Sequence, residues 1–277
     1  MNHPLQTIDW RIERANEHLA TLNDVRNAFV NQKHRRIVGH FERETSEYVF
    51  RFEGELPDPR IGLIVGEFGH HLRAALDNLV WQLVRLRGGS PTRRTEFPIY
   101  ESRKRYRQGA RLALRGVSAD DRAAIDAVQP YNHGESAPES YLAHLAWLNN
   151  MDKHRFLHVN CILPQTTGIK VSYGSEGTYA GQFPWNPWPV KHVGKIIDVQ
   201  YVPALAGNDR AELMRVRIEA TGPNPEMKVN RGAEVQIALS DPEHALILAD
   251  LKLIRENVVG VIEGFRPRFD LVVGLTE

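Results

Sequence analysis

Cysteine is nearly absent from this chain. Cys161 stands alone among 277 residues, which excludes an intramolecular disulfide and any multi-cysteine zinc site. Long apolar runs are missing as well: no stretch approaches the roughly 18 apolar residues of a membrane span, and no basic-then-apolar leader with a small-residue cleavage site opens the sequence. A cytoplasmic protein without membrane attachment is therefore expected. Net charge is slight, at +1, so total charge gives no reason to expect a general polyanion binder. The G-x-S-x-G elbow, the Walker-type phosphate loop and the G-x-G-x-x-G dinucleotide loop are all lacking, and no catalytic Cys-His motif surrounds Cys161.

What is present is a core-forming composition, 42% hydrophobic against 25% charged. Spaced apolar residues from Asp9 to Gln32 (Trp10, Ile12, Ala15, Leu19, Leu22, Val25, Phe29) predict an amphipathic helix. In Ser46 to Pro57, Tyr48, Phe50 and Phe52 alternate with Val49, Arg51 and Glu53, the period of a strand. Asp58-Pro59 then reads as a helix N-terminus, opening a central helix from near Arg60 to the Gly88-Gly89 pair. Gly62, Gly66 and Gly69 along it predict a close helix crossing, since glycine costs helix stability unless a backbone approaches. A basic helix over Ser102 to Leu114 follows, then a capping box at Ser118 and Asp121 whose helix ends before Pro130. A second capping box at Ser136 to Glu139 opens the apolar helix YLAHLAWLNNMDKHRFLHV, and a third at Ser240 to Glu243 opens HALILADLKLIRENVVGVIEGF. Between these, GIKVSY, KIIDVQYV, LMRVRIEA and AEVQIALS alternate as short strands. The expected architecture is one α+β domain: a helical bundle over 1–164, a small antiparallel sheet inserted at 165–240 and joined by the 46–54 strand, a closing helix at 241–266 and a tail at 267–277.

The central helix carries the candidate chemistry. At about 100° per residue, His70, Arg73 and Asp77 fall in one narrow arc, continued by Glu67, His71 and Asn78. Arg73 and Asp77, four apart, are placed to pair. Trp81 and Ala74 share the arc, which predicts a covered polar face rather than a solvated one. Asp152, His154 and Arg155, in the run Asp152-Lys153-His154-Arg155, supply a second polar cluster at the end of an apolar helix, positioned to meet the first. Three chemistries fit these residue types. Metal-free phosphodiester cleavage would use Arg73, Asp77, Asp152, His154 and Arg155, a cation stabilising the phosphorane while an imidazole or carboxylate moves the proton, and needs no cofactor. One divalent metal would use Glu67, His70 and His71 with Asp77. A satisfied network fixing helix register needs no ligand at all.

Charge is unevenly spread. From Arg85 to Arg115 lie ten basic residues against Glu96 and Glu101, which is 10 − 2 = +8 locally and leaves 1 − 8 = −7 for the rest of the chain. Within the block, Arg93, Arg94, Arg103, Lys104, Arg105 and Arg107 are candidate contacts for RNA or another phosphate-bearing ligand; the competing reading is a solvated helix face. Self-association is compatible with the sequence, which fixes no oligomeric state.

HHLRAALDNLVWQLV, FPIY, VQPY and LNNMDKHRFLH, in this order and at these spacings, resemble a widespread group of uncharacterised bacterial proteins common in actinobacteria. Its members read as LRSALDHL-W, FPI, a QPY turn and L-N-IDKHR, followed by a β-rich part and a closing helix. The resemblance runs from Pro59 to about Phe265 and implies a shared fold, without an assigned activity. At longer range, Arg73-Ala-Ala-Leu-Asp-Asn78 is similar to the Arg-then-His signature of the HEPN superfamily of helical bundles, many of them metal-independent ribonucleases. That similarity implies nucleic-acid binding or processing around Arg73. Asn78 stands where the signature has histidine, and an amide cannot act as a general base.

Overall fold

The expected central helix forms as α2, Ile61–Leu86, and the rest of a helical unit is arranged on it. These features come from a computed structural model that describes residues 3–33, 36–154, 158–162, 169–173, 178–181, 196–201, 204–205, 211–218, 227–229, 236–240 and 245–273. The start of α2 is built as the sequence suggests, Asp58 taking the Arg60 amide on its side chain at 2.8 Å and the Ile61 amide on its carbonyl at 3.0 Å. Its end is a glycine stop: Gly88 adopts φ +70°, and the Gly88 and Gly89 amides return to the Arg85 and Val84 carbonyls. Phe68, Leu72, Ala75, Leu76, Leu79 and Leu83 are all fully buried, as their spacing predicts.

The fold class is α+β. Two compact units make up the chain, where the sequence pattern reads as a single domain with an insertion. The first combines Met1–Leu22, Leu63–Leu157 and Ala249–Glu277, and the second Asn23–Gly62 and His158–Leu248. Seven α-helices occur among the described residues: α1 Gln6–Val30, α2, α3 Arg103–Ala113, α4 Ala119–Ala127, α5 Tyr141–His154, α6 Leu248–Glu263 and α7 Arg266–Val273. A 3-10 run, Pro130–Glu139, precedes α5.

In the helical unit, the α4 capping box is realised: the Asp121 amide donates to Ser118 Oγ at 3.1 Å, and that hydroxyl donates to Asp121 Oδ2 at 2.6 Å. The second capping box is displaced. Ser136 and Glu139 lie inside the 3-10 run, and Ser140 is the residue whose hydroxyl receives the Ala143 amide at 3.3 Å. The residues read as a tail from 267 form most of α7, because Phe269 continues the apolar register of Phe265 and both are buried. At Gly69 the expected helix crossing is present. A Cβ there would lie 3.5 Å from Leu148 Cβ and 4.0 Å from the Asn149 amide nitrogen of α5.

The second unit is not confined to the 165–240 region. Its strands are β1 Arg36–Glu42, β2 Glu47–Glu53, β3 His158–Ile162, β4 Ile169–Tyr173, β5 Thr178–Gly181, β6 Ile196–Tyr201, β7 Ala204–Leu205, β8 Ala211–Ile218, β9 Met227–Val229, β10 Gln236–Ser240 and β11 Ala245–Ile247. They form three antiparallel sheets, ordered β1-β2-β8-β6, β11-β10-β3-β7 and β5-β4-β9. The strand expected at 46–54 is β2 and does join the later strands, through β8. Two helix readings are corrected here. His158 and Val159 do not belong to α5: from His158 the chain pairs with β10 and β7, and cross-strand pairing of Val159 and its neighbours outweighs helical continuation. Ser240 ends β10, and Ala245–Ile247 pairs with it, so the last long helix begins only at Leu248. β1 has no clean alternation because Gly39 sits opposite Phe50, whose ring occupies the space a Cβ would take, 2.6 Å away.

One face of the first sheet carries a charge network. Glu47, 7% exposed, accepts from Arg217 Nη2 at 2.8 Å and Arg215 Nη1 at 3.1 Å, while Arg215 also reaches Glu42 at 3.1 Å and Glu212 at 2.9 Å. Hydrogen bonds from Arg217 and then Arg215 hold the Glu47 carboxyl below its ordinary value of 4.5. Burial works against the Glu42 charge, but Arg215 and His40 outweigh it and lower that group also. Both carboxyls bind protons less readily folded than unfolded, so their contribution is complete above pH 4.5 and is lost as pH falls below it. Acid titration followed by hydrogen exchange of β2 and β8 should show protection falling only below that pH, and Glu47→Gln should flatten the fall. An unchanged profile in the variant would count against the network as its cause.

Candidate functional site

Arg73 and Asp77 pair as their spacing predicts, Nη2 to Oδ1 at 3.0 Å, and Arg73 also approaches Glu96 at 3.8 Å. The Asp77 oxygen is not free. It accepts the Phe97 amide at 2.8 Å, which ties the FPIY segment to α2. The other end of that segment is held by Gln129, fully buried at the start of QPY: its Nε2 donates to the Pro98 carbonyl at 2.7 Å and the Ile125 carbonyl at 3.1 Å, and its Oε1 accepts the Tyr100 amide at 3.2 Å. The Tyr131 amide closes the clamp on the Tyr100 carbonyl at 3.3 Å. Three of the sequence motifs, ALD, FPIY and QPY, thus form one hydrogen-bonded unit. With its charge shared by two carboxylates, Arg73 is poorly placed to receive a developing phosphorane charge, and Asp77 already carries two donors.

Asp152, His154 and Arg155, the partners expected across from this pair, have side chains outside the described residues. The polar face of α2 is less covered than the sequence predicts. Glu67 and His70 are exposed and Trp81 is 42% exposed, whereas the Arg73 side chain is 14% exposed. The reason is local: α2 turns its apolar arc inward and leaves the rim of the polar arc in solvent.

The histidines form a cluster of their own. His71 stacks on His18 of α1, ring centres 5.6 Å apart, and stands edge-on to His70 at 5.9 Å. His18 is 8% exposed, its Nδ1 lies 3.6 Å from Glu67 Oε2, and its buried Nε2 has no hydrogen-bond partner. Arg11 Nη1 lies 3.3 Å from His71 Nδ1; a guanidinium can only donate, so that nitrogen is the acceptor. Burial first, and then the Arg11 charge, lower the proton affinity of His71. A guanidinium on one ring nitrogen also opposes a metal on the other. Among the described residues, no group of three histidine, cysteine or acidic side chains is arranged to hold an ion. Sequence reading missed His18 and Arg11; the available signal was that His18 falls in register with buried Ala15 and Leu22.

The basic block is differently disposed. Arg85, Arg87, Arg93, Arg94, Arg103, Lys104, Arg105, Arg107, Arg111 and Arg115 are all exposed, and among the described residues none forms an ion pair with a carboxylate. Half of them lie on α3, whose inner face of Tyr106, Ala110 and Ala113 is buried. The rings of Tyr100, Tyr106 and Tyr131 cluster beneath it at 6.2 and 5.4 Å, and Arg103 lies over Tyr131 at 5.7 Å. Burial and the Asp126 charge push the Tyr106 hydroxyl up to about 12, so it stays protonated. A Cβ on Gly109 would overlap the Tyr100 ring, 2.7 Å from Cζ. The α2 end adjoins the α3–α4 turn, since a Cβ at Gly116 would lie 3.0 Å from Val84 Cγ1, so Arg85 and Arg115 emerge near one corner.

The chain matches no protein-family model, no curated protein sequence and no solved structure in comparisons with each. No helix among the described residues is long and apolar enough to cross a membrane.

Proposed function

We propose that this protein binds nucleic acid through its phosphate backbone, and that the Arg73–Asp77 pair serves the fold of the binding unit instead of cleaving the ligand. One observation carries the reading: ten cations are exposed together without carboxylate partners among the described residues, in a chain whose remainder is net acidic. Solvated helix faces ordinarily interleave both signs and pair at i,i+4. A one-sign surface raises the local concentration of a polyanion and is costly unless it has something to meet. The similarity to HEPN bundles points to the same ligand class, while Asn78 in place of histidine and the two donors already held by Asp77 Oδ1 weigh against cleavage at the Arg73 motif.

Fluorescence anisotropy with a labelled 20-nucleotide RNA over a salt series tests this. Binding should weaken at least about tenfold between 50 and 200 mM salt, since each neutralised phosphate releases counterions. Asp77→Asn should bind as wild type does, and the RNA should remain intact. Failure to bind at 50 mM salt, or binding indifferent to salt, would overturn the reading. Cleavage that is lost in Arg73→Ala would replace it with the hydrolytic one.

A further inference from the structure

We infer that one flank of α3 follows the phosphates of a single nucleic-acid strand, which makes single-stranded RNA or DNA the preferred partner. This rests on the reading above and adds the form of the ligand. At 100° per residue, Arg103, Arg107, Arg111 and Lys104 fall within an arc of about 100°. The opposite flank carries Arg105 together with the exposed apolar Leu112. Along the axis, Arg103, Arg107 and Arg111 recur every four residues, about 6 Å apart at a rise of 1.5 Å each. Neighbouring phosphates on one strand have a similar separation, so each cation meets one phosphate. A helix seated in a duplex groove instead passes between two backbones, and on α3 the row of three arginines is answered across the helix by Arg105 alone.

The rotation of α3 about its axis is set by its inner face. Tyr106, Ala110 and Ala113 are buried, and Gly109 admits the Tyr100 ring so closely that no side chain fits there. The flank is thereby presented as a fixed row. Arg103, at its N-terminal end, is further positioned over the Tyr131 ring.

Binding of a 20-nucleotide uridine oligonucleotide and of a 20-base-pair RNA duplex should be compared for wild type, for the triple variant Arg103→Gln/Arg107→Gln/Arg111→Gln, and for the double variant Arg93→Gln/Arg94→Gln. All five positions are exposed, and circular dichroism will verify that the variants fold. The single strand should bind more tightly than the duplex. The triple variant should lose about 100-fold in single-strand affinity at low salt, with the slope of log K against log salt becoming shallower by about 2, since each lost phosphate removes about 0.7. The double variant should lose less than about tenfold. Tighter duplex binding, or a triple variant that binds like wild type, would overturn the inference while leaving nucleic-acid binding in place. Absence of binding to either ligand would instead remove the reading on which it rests.

Discussion

Replacing Gln129 with leucine should destabilise the helical unit by about 3 kcal/mol, because at least two buried backbone groups lose partners at once and each costs roughly 1–3 kcal/mol. Leucine retains the approximate volume, so the loss is one of hydrogen bonds and not of packing. The Pro98 carbonyl and the Tyr100 amide, bonded to the two ends of the Gln129 amide, have no other partner in the clamp. The Ile125 carbonyl shares Nε2 as a weaker third contact at 3.1 Å. Urea denaturation gives the overall loss, and hydrogen exchange locates it: the Tyr100 and Tyr131 amides should lose protection first. A loss under 1 kcal/mol would mean that the FPIY segment is held by apolar burial of Phe97 and that the amide is incidental.

Arg268→Met should cost about 2–3 kcal/mol by a different route. The Asp121 side chain is 3% exposed and pairs with Arg268 Nε, with the Ser118 hydroxyl as its remaining partner. Removing one member of a buried pair leaves a charge away from water, which costs about 3–5 kcal/mol when both members are buried. Arg268 is 33% exposed, so the smaller figure applies. Part of the loss comes from the other contacts of the guanidinium, which also bonds the Gly264 carbonyl at 2.7 Å and lies 4.5 Å from the Phe265 ring centre. Asp121→Asn should cost less, and the double variant should cost less than the sum of the singles, as expected for residues in contact. Thermal melts of all four proteins decide this; additivity would mean that the pair is not coupled.

The local elements were legible because their signals are local. Asp58-Pro59, the apolar arc of α2, the Ser118 box and the alternation of β2 each lie within one turn or one strand. What escaped depends on distant partners. β1 reads poorly because Gly39 yields its space to Phe50, and the His158 segment reads as helix until β10 is known to lie beside it. The candidate site divides in the same way. The Arg73–Asp77 pair and the basic block are visible in the sequence, while the capture of Asp77 by the Phe97 amide and the His18–His71 stack are not. The polarity of α2 admits both reactive and structural readings, and at Asp77 it is spent on a hydrogen bond to a segment twenty residues further on.

Gly109 separates two kinds of constraint within α3. On the inner side, any substitution there collides with Tyr100, so the seat of the helix tolerates almost no drift. On the outer side, Arg107 and Arg111 are exposed and form no ion pair among the described residues, and Arg103 rests only on the face of the Tyr131 ring. Lineages of this protein are therefore free to exchange lysine for arginine, add charge or shed it, and so retune affinity for a charged ligand step by step, provided that the glycine and tyrosine beneath remain paired.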